Sequence, residues 1–154
     1  MSEPIIAQKS PMNDANKLIV RRVFEECFNR HNVDIYSEFY AGAFVQHTPS
    51  LGELGAVAHR QLLVSIFAAF PDACWTVLDQ LAEGDKVVTR WRLVATHKGT
   101  FVGIAPTGRQ LISGGICIDR IFDGKLMEEW EEWDTLGMMQ QLGAVPGTKV
   151  EATS

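Results

Sequence analysis

The chain has 154 residues, of which 46% are hydrophobic and 21% are charged, and these values fit a single globular domain. Its formal net charge of −5 argues against nucleic-acid or anionic-membrane partners, which favour basic surfaces. No apolar run approaches the roughly 20 residues that a membrane-spanning helix needs, and residues 1–13 lack the pattern of a signal peptide. We therefore expect a cytoplasmic protein with no nucleic-acid or membrane partner.

Metal and cofactor motifs are missing from the sequence. The four histidines are scattered without an HxH or HExxH pattern, and there is neither a P-loop nor a complete dinucleotide-binding motif. The three cysteines, Cys27, Cys74 and Cys117, are widely spaced, which is typical of reduced thiols that pack as small hydrophobic side chains. We expect no metal and no organic cofactor.

The first half of the chain has helical periodicity. Apolar residues recur at helical spacing after Asn13 or Asp14, either of which can cap a helix, and Pro71 ends a later helical run. The predicted elements are a flexible tail over 1–13, helices at about 14–28, 33–40 and 62–70, and a strand at 43–47 followed by a glycine-containing loop.

After Pro71 the pattern changes to strands. Runs rich in Val, Ile, Leu, Trp and Thr, separated by turn residues, predict strands at 73–82, 86–97, 109–122 and 125–134. Asp123–Gly124 predicts a two-residue hairpin, because a type I′ turn needs positive φ angles. A last helical turn at 136–142 completes a single domain over 14–143, and 144–154 forms a tail.

Helices followed by an antiparallel meander predict an α+β fold, with the helices on one face of the sheet. Glycines along the strands permit a bulged or bent sheet. A bent sheet would enclose a pocket between itself and the helices.

The run EEWEEWDT, residues 128–135, carries the clearest chemical signal. Side chains alternate along a strand, so Met127, Glu129, Glu131 and Trp133 share one face. A carboxyl group among tryptophans in an apolar cavity has a raised pKa, which suits a general acid or base near neutral pH. The alternative is a solvated acidic strand whose tryptophans pack on one side only.

His47 is the histidine best placed for proton transfer. It ends a predicted strand, where its side chain can point into a cavity mouth; the alternative is a hydrogen bond to loop backbone. We assign His97 a structural role in a loop and expect His31 and His59 on helix surfaces. Cys117 lies mid-strand among apolar residues, which is typical of an inert thiol.

Three segments, in this order, resemble the SnoaL-like polyketide cyclase (ester cyclase) family of the ketosteroid-isomerase superfamily. They are FVQHTP (44–49), FPDACWTVLDQLAEGDKVVTRWRLVATHKGTFVGIAPTGR (70–109) and IFDGKLMEEWEEWDTLGMMQQLG (121–143). The resemblance covers about residues 14–143. It implies a cone-shaped α+β barrel, with a curved antiparallel sheet wrapped around about three helices, and a homodimer or homotetramer.

The resemblance also implies a reaction. The cyclases of this family close a ring by intramolecular aldol condensation of an aromatic polyketide ester, without a metal or an organic cofactor. Their acidic residue falls on Glu131, their histidine on Cys117, and their asparagine near Gln46 or His47. Glu131 is one methylene longer than the aspartate of the cyclases, and Cys117 replaces their histidine.

These inferences define a candidate site. If Glu131 faces inward, alternation places Trp91 on the inner face of a neighbouring strand and turns Arg90 and Arg92 outward. The catalytic candidates are Glu131, His47 and Glu129, and the candidates for substrate contact are Trp91, Trp133, Phe70, Cys117, Gln46 and Met127.

Three functions are compatible with the sequence. The first is a cofactor-free acid–base enzyme, a cyclase, isomerase or lyase, that acts on a small hydrophobic carbonyl compound, aromatic or polycyclic. The alternative is a non-catalytic ligand-binding or scaffold module of the same fold. A third, epoxide hydrolysis, requires Asp119, Arg120 and Asp134 to converge.

Overall fold

The computed structural model describes residues 10–147. Helix α1 (Pro11–Arg22) continues directly into a π-helical segment (Val23–Phe28) and is followed by the short helix α2 (Tyr36–Phe39). The remaining elements are β1 (Tyr40–Thr48), β2 (Gly52–Gly55), α3 (Ala56–Ala69), β3 (Cys74–Glu83), β4 (Lys86–Thr96), β5 (Gln110–Phe122), β6 (Lys125–Trp133) and α4 (Thr135–Gln141).

The six strands form one curved sheet in the order β2-β1-β6-β5-β4-β3. All neighbours pair antiparallel except β1 and β6, which run parallel. The predicted α+β class is therefore confirmed. The sheet does not close into a full barrel, because β2 and β3 remain as edges.

The helices cover the inner face of the sheet. Helix α1 packs against β3 and β4, α3 against β1 and β2, and α4 against β5. The apolar core lies between these layers. No helix in residues 10–147 combines the length and apolar character needed to cross a membrane.

Alternation along β4 follows the predicted pattern. Trp91 and Leu93 are buried, whereas Arg90 and Arg92 between and beside them are exposed. Thr89 and Ala95 are buried on the same side as Trp91. A period of two is what a strand with one covered face requires, so β4 presents an aromatic and aliphatic wall to the helices.

The turn between β5 and β6 is confirmed as a two-residue hairpin with positive φ at both positions. Asp123 has φ 49° and Gly124 has φ 74°, as a type I′ turn needs. A bulge follows at once: Arg120 pairs with Glu128, whereas Ile121 pairs with Leu126. The extra residue in β6 is Met127, and it changes which side chains face inward.

The predicted element boundaries differ at the N-terminal side. Helix α1 begins at Pro11 after Ser10, not after Asn13 or Asp14, because proline is favoured in the first helical turn. Helix α3 starts at Ala56, and the predicted loop before it contains β2. Of the predicted tails at 1–13 and 144–154, residues 1–9 and 148–154 lie outside the described residues, and residues 11–13 belong to α1.

Candidate functional site

A cavity lies between the inner face of the sheet and the helices. Its wall is mostly apolar: Phe24 and Phe28 come from the first helical unit, and Leu63 and Ile66 come from α3. Strands and loops add aromatic side chains, which include Phe70, Trp75, Trp91, Phe101 and Trp133. Such a wall suits a largely apolar ligand with a few oriented polar groups.

The polar end of the cavity is built by three neighbouring strands. Glu129 and Glu131 come from β6, and their Cα partners on β5 are Asp119 and Cys117, respectively. Because all four point to the same face, three carboxyl groups converge on one wall. Among the described residues that line the cavity there is no lysine or arginine to offset these charges.

Gln46 lies on β1, the strand that runs parallel beside β6, and its side chain contacts these carboxyl groups. Its Nε2 donates to Glu129 Oε1 at 2.5 Å and to Glu131 Oε2 at 3.1 Å. Gln46 is only 2% exposed and Glu129 only 5%, so these are desolvated, charge-assisted hydrogen bonds. The amide therefore fixes the spacing of the two glutamates.

Burial raises the proton affinity of two of the carboxyl groups. The pKa of Asp119 is well above its usual value because of burial, the negative charge of Glu129 and a hydrogen bond with Glu129. The pKa of Glu131 is also well above its usual value, because of burial and then the charge of Glu129. A hydrogen bond between two carboxyl groups needs a proton, and the raised pKa of Asp119 places that proton on Asp119.

This wall also contains buried acceptor atoms without a partner. Gln46 Oε1 and Asp119 Oδ1 have no hydrogen-bond partner among the described residues. A buried acceptor without a partner typically lowers the free energy of unfolding by about 1–3 kcal/mol. Such acceptors are common at sites where a ligand supplies the missing group.

A family model described as SnoaL-like polyketide cyclase matches residues 18–142. The chain belongs to this family. The match spans α1 to the end of α4, so it includes every element that builds the cavity. The resemblance inferred from the sequence is thus confirmed.

Two curated relatives are aklanonic acid methyl ester cyclases: DnrD of Streptomyces peucetius and DauD of Streptomyces sp. (strain C5). Each is 28% identical over 130 residues, which covers 81% of this chain and 88% and 80% of the respective relative. This degree of coverage means that the SnoaL-like domain accounts for most of each relative.

Solved structures of similar fold come from several bacteria. AclR from Streptomyces galilaeus, described as a proposed hydroxylase, has a TM-score of 0.81, with 25% identity over 89% of this chain and 86% of that one. A proposed SnoaL-like polyketide cyclase from Jannaschia sp. CCS1 has a TM-score of 0.82, with 26% identity over 90% and 98%.

Most of the predicted site residues of this SnoaL-like chain line the cavity. Glu131 is half-buried and Glu129 is buried, and both face it. The predicted contact residues that also line it are Trp91, Trp133, Phe70, Cys117 and Gln46.

His47 and Met127 do not line the cavity, so their predicted positions are wrong. His47 follows Gln46 on β1, and alternation turns it to the opposite face, where its Nε2 lies 2.9 Å from Glu128 Oε1. Met127 sits at the bulge of β6, and Leu126 takes the inward position.

Asp119 and His59 line the cavity but were not among the predicted residues of the acid–base site. Asp119, considered only for epoxide hydrolysis, follows Cys117 by two residues on β5, so alternation could have identified it. His59 is buried and not on the surface, because it shares the inner face of α3 with Leu63 and Ile66, at i+4 and i+7. The sequence analysis placed His59 on a helix but assigned it to the exposed face.

Cys117, Asp119 and Glu129 bring three donor atoms within 4.8 Å of one another, a grouping that could hold a metal ion. Burial, followed by the charge of Asp119, raises the pKa of the Cys117 thiol well above its usual value. A metal would have to displace protons from both Cys117 and Asp119.

The arrangement required for epoxide hydrolysis does not form. Asp119 faces the cavity, but Arg120 points outward and pairs with Glu128 at 2.9 Å. Asp134 caps α4 by accepting a hydrogen bond from the backbone N–H of Gly137 at 2.8 Å. The three side chains serve separate purposes.

Proposed function

We propose that this chain is a cofactor-free acid–base cyclase that acts on a hydrophobic carbonyl compound bound in the cavity. The observation that carries the proposal is Glu131: a carboxyl group with a raised pKa at the polar end of a mostly apolar cavity. The family resemblance aligns this residue with the acidic residue of the cyclases. Membership of the SnoaL-like family supports a cyclase-type function.

The reaction proposed is an intramolecular aldol closure. Ionised Glu131 removes a proton from the carbon next to a carbonyl group, and the resulting enolate carbon bonds to a second carbonyl carbon of the same molecule. The oxygen of that second carbonyl then takes up a proton, so the product is an isomer of the substrate. A carboxylate with a raised pKa is a stronger base than an ordinary glutamate, which favours the first step.

The neighbouring carboxyl groups have supporting roles in this proposal. Glu129 and Asp119 hold a proton beside Glu131 and can exchange it with the reacting centre. Gln46 holds Glu131 and Glu129 in place through its Nε2. His47, on the opposite face of the sheet, takes no part.

The substrate class follows from the wall and from the relatives. Trp75, Trp91 and Trp133 offer flat apolar surface to an aromatic ligand. Aklanonic acid methyl ester, named for the curated relatives, is therefore the first compound to test, followed by other aromatic polyketide esters.

The test compares Glu131→Gln with Glu132→Gln, a matched change at an exposed position on the outer face of the same strand. We expect Glu131→Gln to lower kcat by about 10²–10⁴-fold, the usual contribution of a general base, and Glu132→Gln to leave it unchanged. Full activity in Glu131→Gln would contradict the role of Glu131. Ligand binding without turnover in the wild type would favour a binding module.

We also propose that the chain forms a homodimer through the outer face of the sheet. Ile112, Ile116 and Ile118 of β5, with Leu78 of β3, are exposed there. A contiguous apolar patch on a sheet face is typical of a protein interface. Light scattering after size-exclusion chromatography should give twice the mass of a single chain. Ile116→Glu should reduce the measured mass to that of a single chain.

A further inference from the structure

The cavity has a second polar group, on the wall opposite the sheet. His59 of α3 is 2% exposed and lines the cavity. Among the described residues, it is the only titratable side chain that a helix contributes to this space. The proposed reaction has not yet used it.

A hydrogen bond with Tyr36 sets the protonation of the His59 ring. Tyr36 Oη lies 2.8 Å from His59 Nδ1, and the contact is buried. The ring of Tyr36 is stacked on Tyr40 at 4.2 Å, with 6° between the planes, which holds the ring beside His59. No other acceptor in residues 10–147 is hydrogen bonded to that hydroxyl, so the Tyr36 O–H donates to Nδ1.

An Nδ1 atom that accepts a hydrogen bond cannot carry the ring proton of a neutral imidazole. The proton must then lie on Nε2, which makes Nε2 a donor. Burial lowers the pKa of His59, and the charge of Glu129 opposes this only in part. His59 is therefore a neutral donor whose tautomer is fixed by Tyr36.

The sheet wall around Glu131 is rich in acceptors, and its buried donors without a partner among the described residues are Tyr40 Oη and Trp91 Nε1. It presents the carboxyl groups of Glu129 and Glu131 and the unpaired acceptor Oε1 of Gln46. When a carbon next to a carbonyl group loses its proton, negative charge develops on the carbonyl oxygen, and acceptor atoms would repel it. A preorganised donor on the other wall stabilises that oxygen.

We propose that His59 Nε2–H donates a hydrogen bond to the carbonyl oxygen of the bound substrate, and that Tyr36 is the positioning residue that keeps the proton on Nε2. This inference rests on the proposed cyclase function. It gives the two walls separate tasks: Glu131 on the sheet moves the proton, and His59 on α3 holds the oxygen.

The first readout needs no turnover. Nitrogen-15 NMR of the histidine rings distinguishes the two neutral tautomers, and we expect His59 to be protonated on Nε2 in the wild type. Tyr36→Phe should shift His59 toward a mixture of tautomers. A wild-type ring protonated on Nδ1, or an identical spectrum in Tyr36→Phe, would overturn the proposal.

The second readout is kcat and KM with aklanonic acid methyl ester. We expect His59→Phe, which keeps an aromatic ring beside Tyr40 and Phe44, to lower kcat about 100-fold or more with a small change in KM, as loss of an oxyanion donor does. His59→Gln, which retains an N–H donor, should recover part of the loss. His47→Gln, on the opposite face, is the matched control and should keep wild-type kcat.

A double variant separates catalysis from folding. His59→Phe leaves the Tyr36 hydroxyl buried and unpaired, whereas Tyr36→Phe with His59→Phe removes both polar ends and should recover thermal stability. We expect the double variant to remain as inactive as His59→Phe. Recovered activity in the double variant, or an unchanged kcat in His59→Phe, would overturn the role of His59 but leave the proposed function standing. A wild type that turns over no polyketide ester would count against the proposed function instead.

Discussion

Gln46 Nε2 lies 2.5 Å from Glu129 Oε1, across the one parallel pair of strands in the sheet. This contact ties β1, which precedes α3, to β6, the last strand along the chain. Because the same nitrogen also donates to Glu131, one amide controls the positions of both glutamates.

Replacing Gln46 by Leu should destabilise the fold and uncouple the two strands. A hydrogen bond to a charged group typically contributes about 1.5–3 kcal/mol, and we expect a loss of that size in the free energy of unfolding measured with urea at pH 7. A double-mutant cycle with Glu129→Gln isolates the pair, and its coupling energy should be about 1–3 kcal/mol. Additive effects of the two changes would show that the contact contributes nothing.

The raised pKa values of Asp119 and Glu131 predict how stability depends on pH. Their folded-state pKa values exceed the ordinary values of 3.8 for Asp119 and 4.5 for Glu131, which apply to the unfolded chain. At a pH between the ordinary and the raised value, the unfolded chain has released a proton that the folded chain keeps. The free energy of unfolding therefore falls as pH rises through this window, by up to about 1.4 kcal/mol per pH unit for each group.

Asp119→Asn should make that dependence shallower. Urea unfolding at pH 5, 6, 7 and 8 gives the difference in the free energy of unfolding between the wild type and the variant. Contributions to the pH dependence from other groups, such as His59, cancel in this difference. We expect the stability of the variant, relative to the wild type, to increase steadily with pH. Glu132→Gln, at an exposed position, should show no such trend, and parallel curves for Asp119→Asn would contradict the burial of its charge.

Gly115 allows Trp91 to lie flat in the cavity wall. A Cβ atom added at Gly115 would lie 2.5 Å from Trp91 Cζ2 and 2.6 Å from the backbone oxygen of Glu132. Gly115→Ala should therefore cost roughly 1–3 kcal/mol in unfolding free energy, as overpacking usually does. Gly42→Ala is the control, because nothing lies within 4 Å of its added Cβ. Equal stability of the two variants would contradict the close packing of Trp91.

Local patterns predicted the part of the site that lies on β4, β5 and β6. Alternation of side chains grouped Glu131 with Trp133 on one face, and the family resemblance indicated that this face, together with Trp91 of the neighbouring strand, turns inward. The bulge after Arg120 moved Met127 out of the inner face, and nothing in the local sequence marks its position. A strand shifted by one residue exchanges its two faces, which is why a single bulge matters.

Non-local pairing accounts for the remaining errors. Whether Gln46 or His47 faces the cavity depends on how β1 aligns beside β6, whose paired residues lie 83 positions further along the chain. His59 was assigned to a helix surface because local spacing does not show which face of α3 packs against the sheet, and in the structure it is buried. The π-helical segment Val23–Phe28 was likewise missed, because its residues also fit ordinary helical spacing.

The measurement that tests the central claim most directly is an NMR titration of the Glu131 side-chain carboxyl, assigned by comparison with Glu131→Gln. The account predicts a pKa clearly above the ordinary value of 4.5, and a lower pKa when Glu129→Gln removes the neighbouring charge. A pKa at or below 4.5 that does not respond to Glu129→Gln would show a solvated glutamate and would contradict the proposed acid–base role.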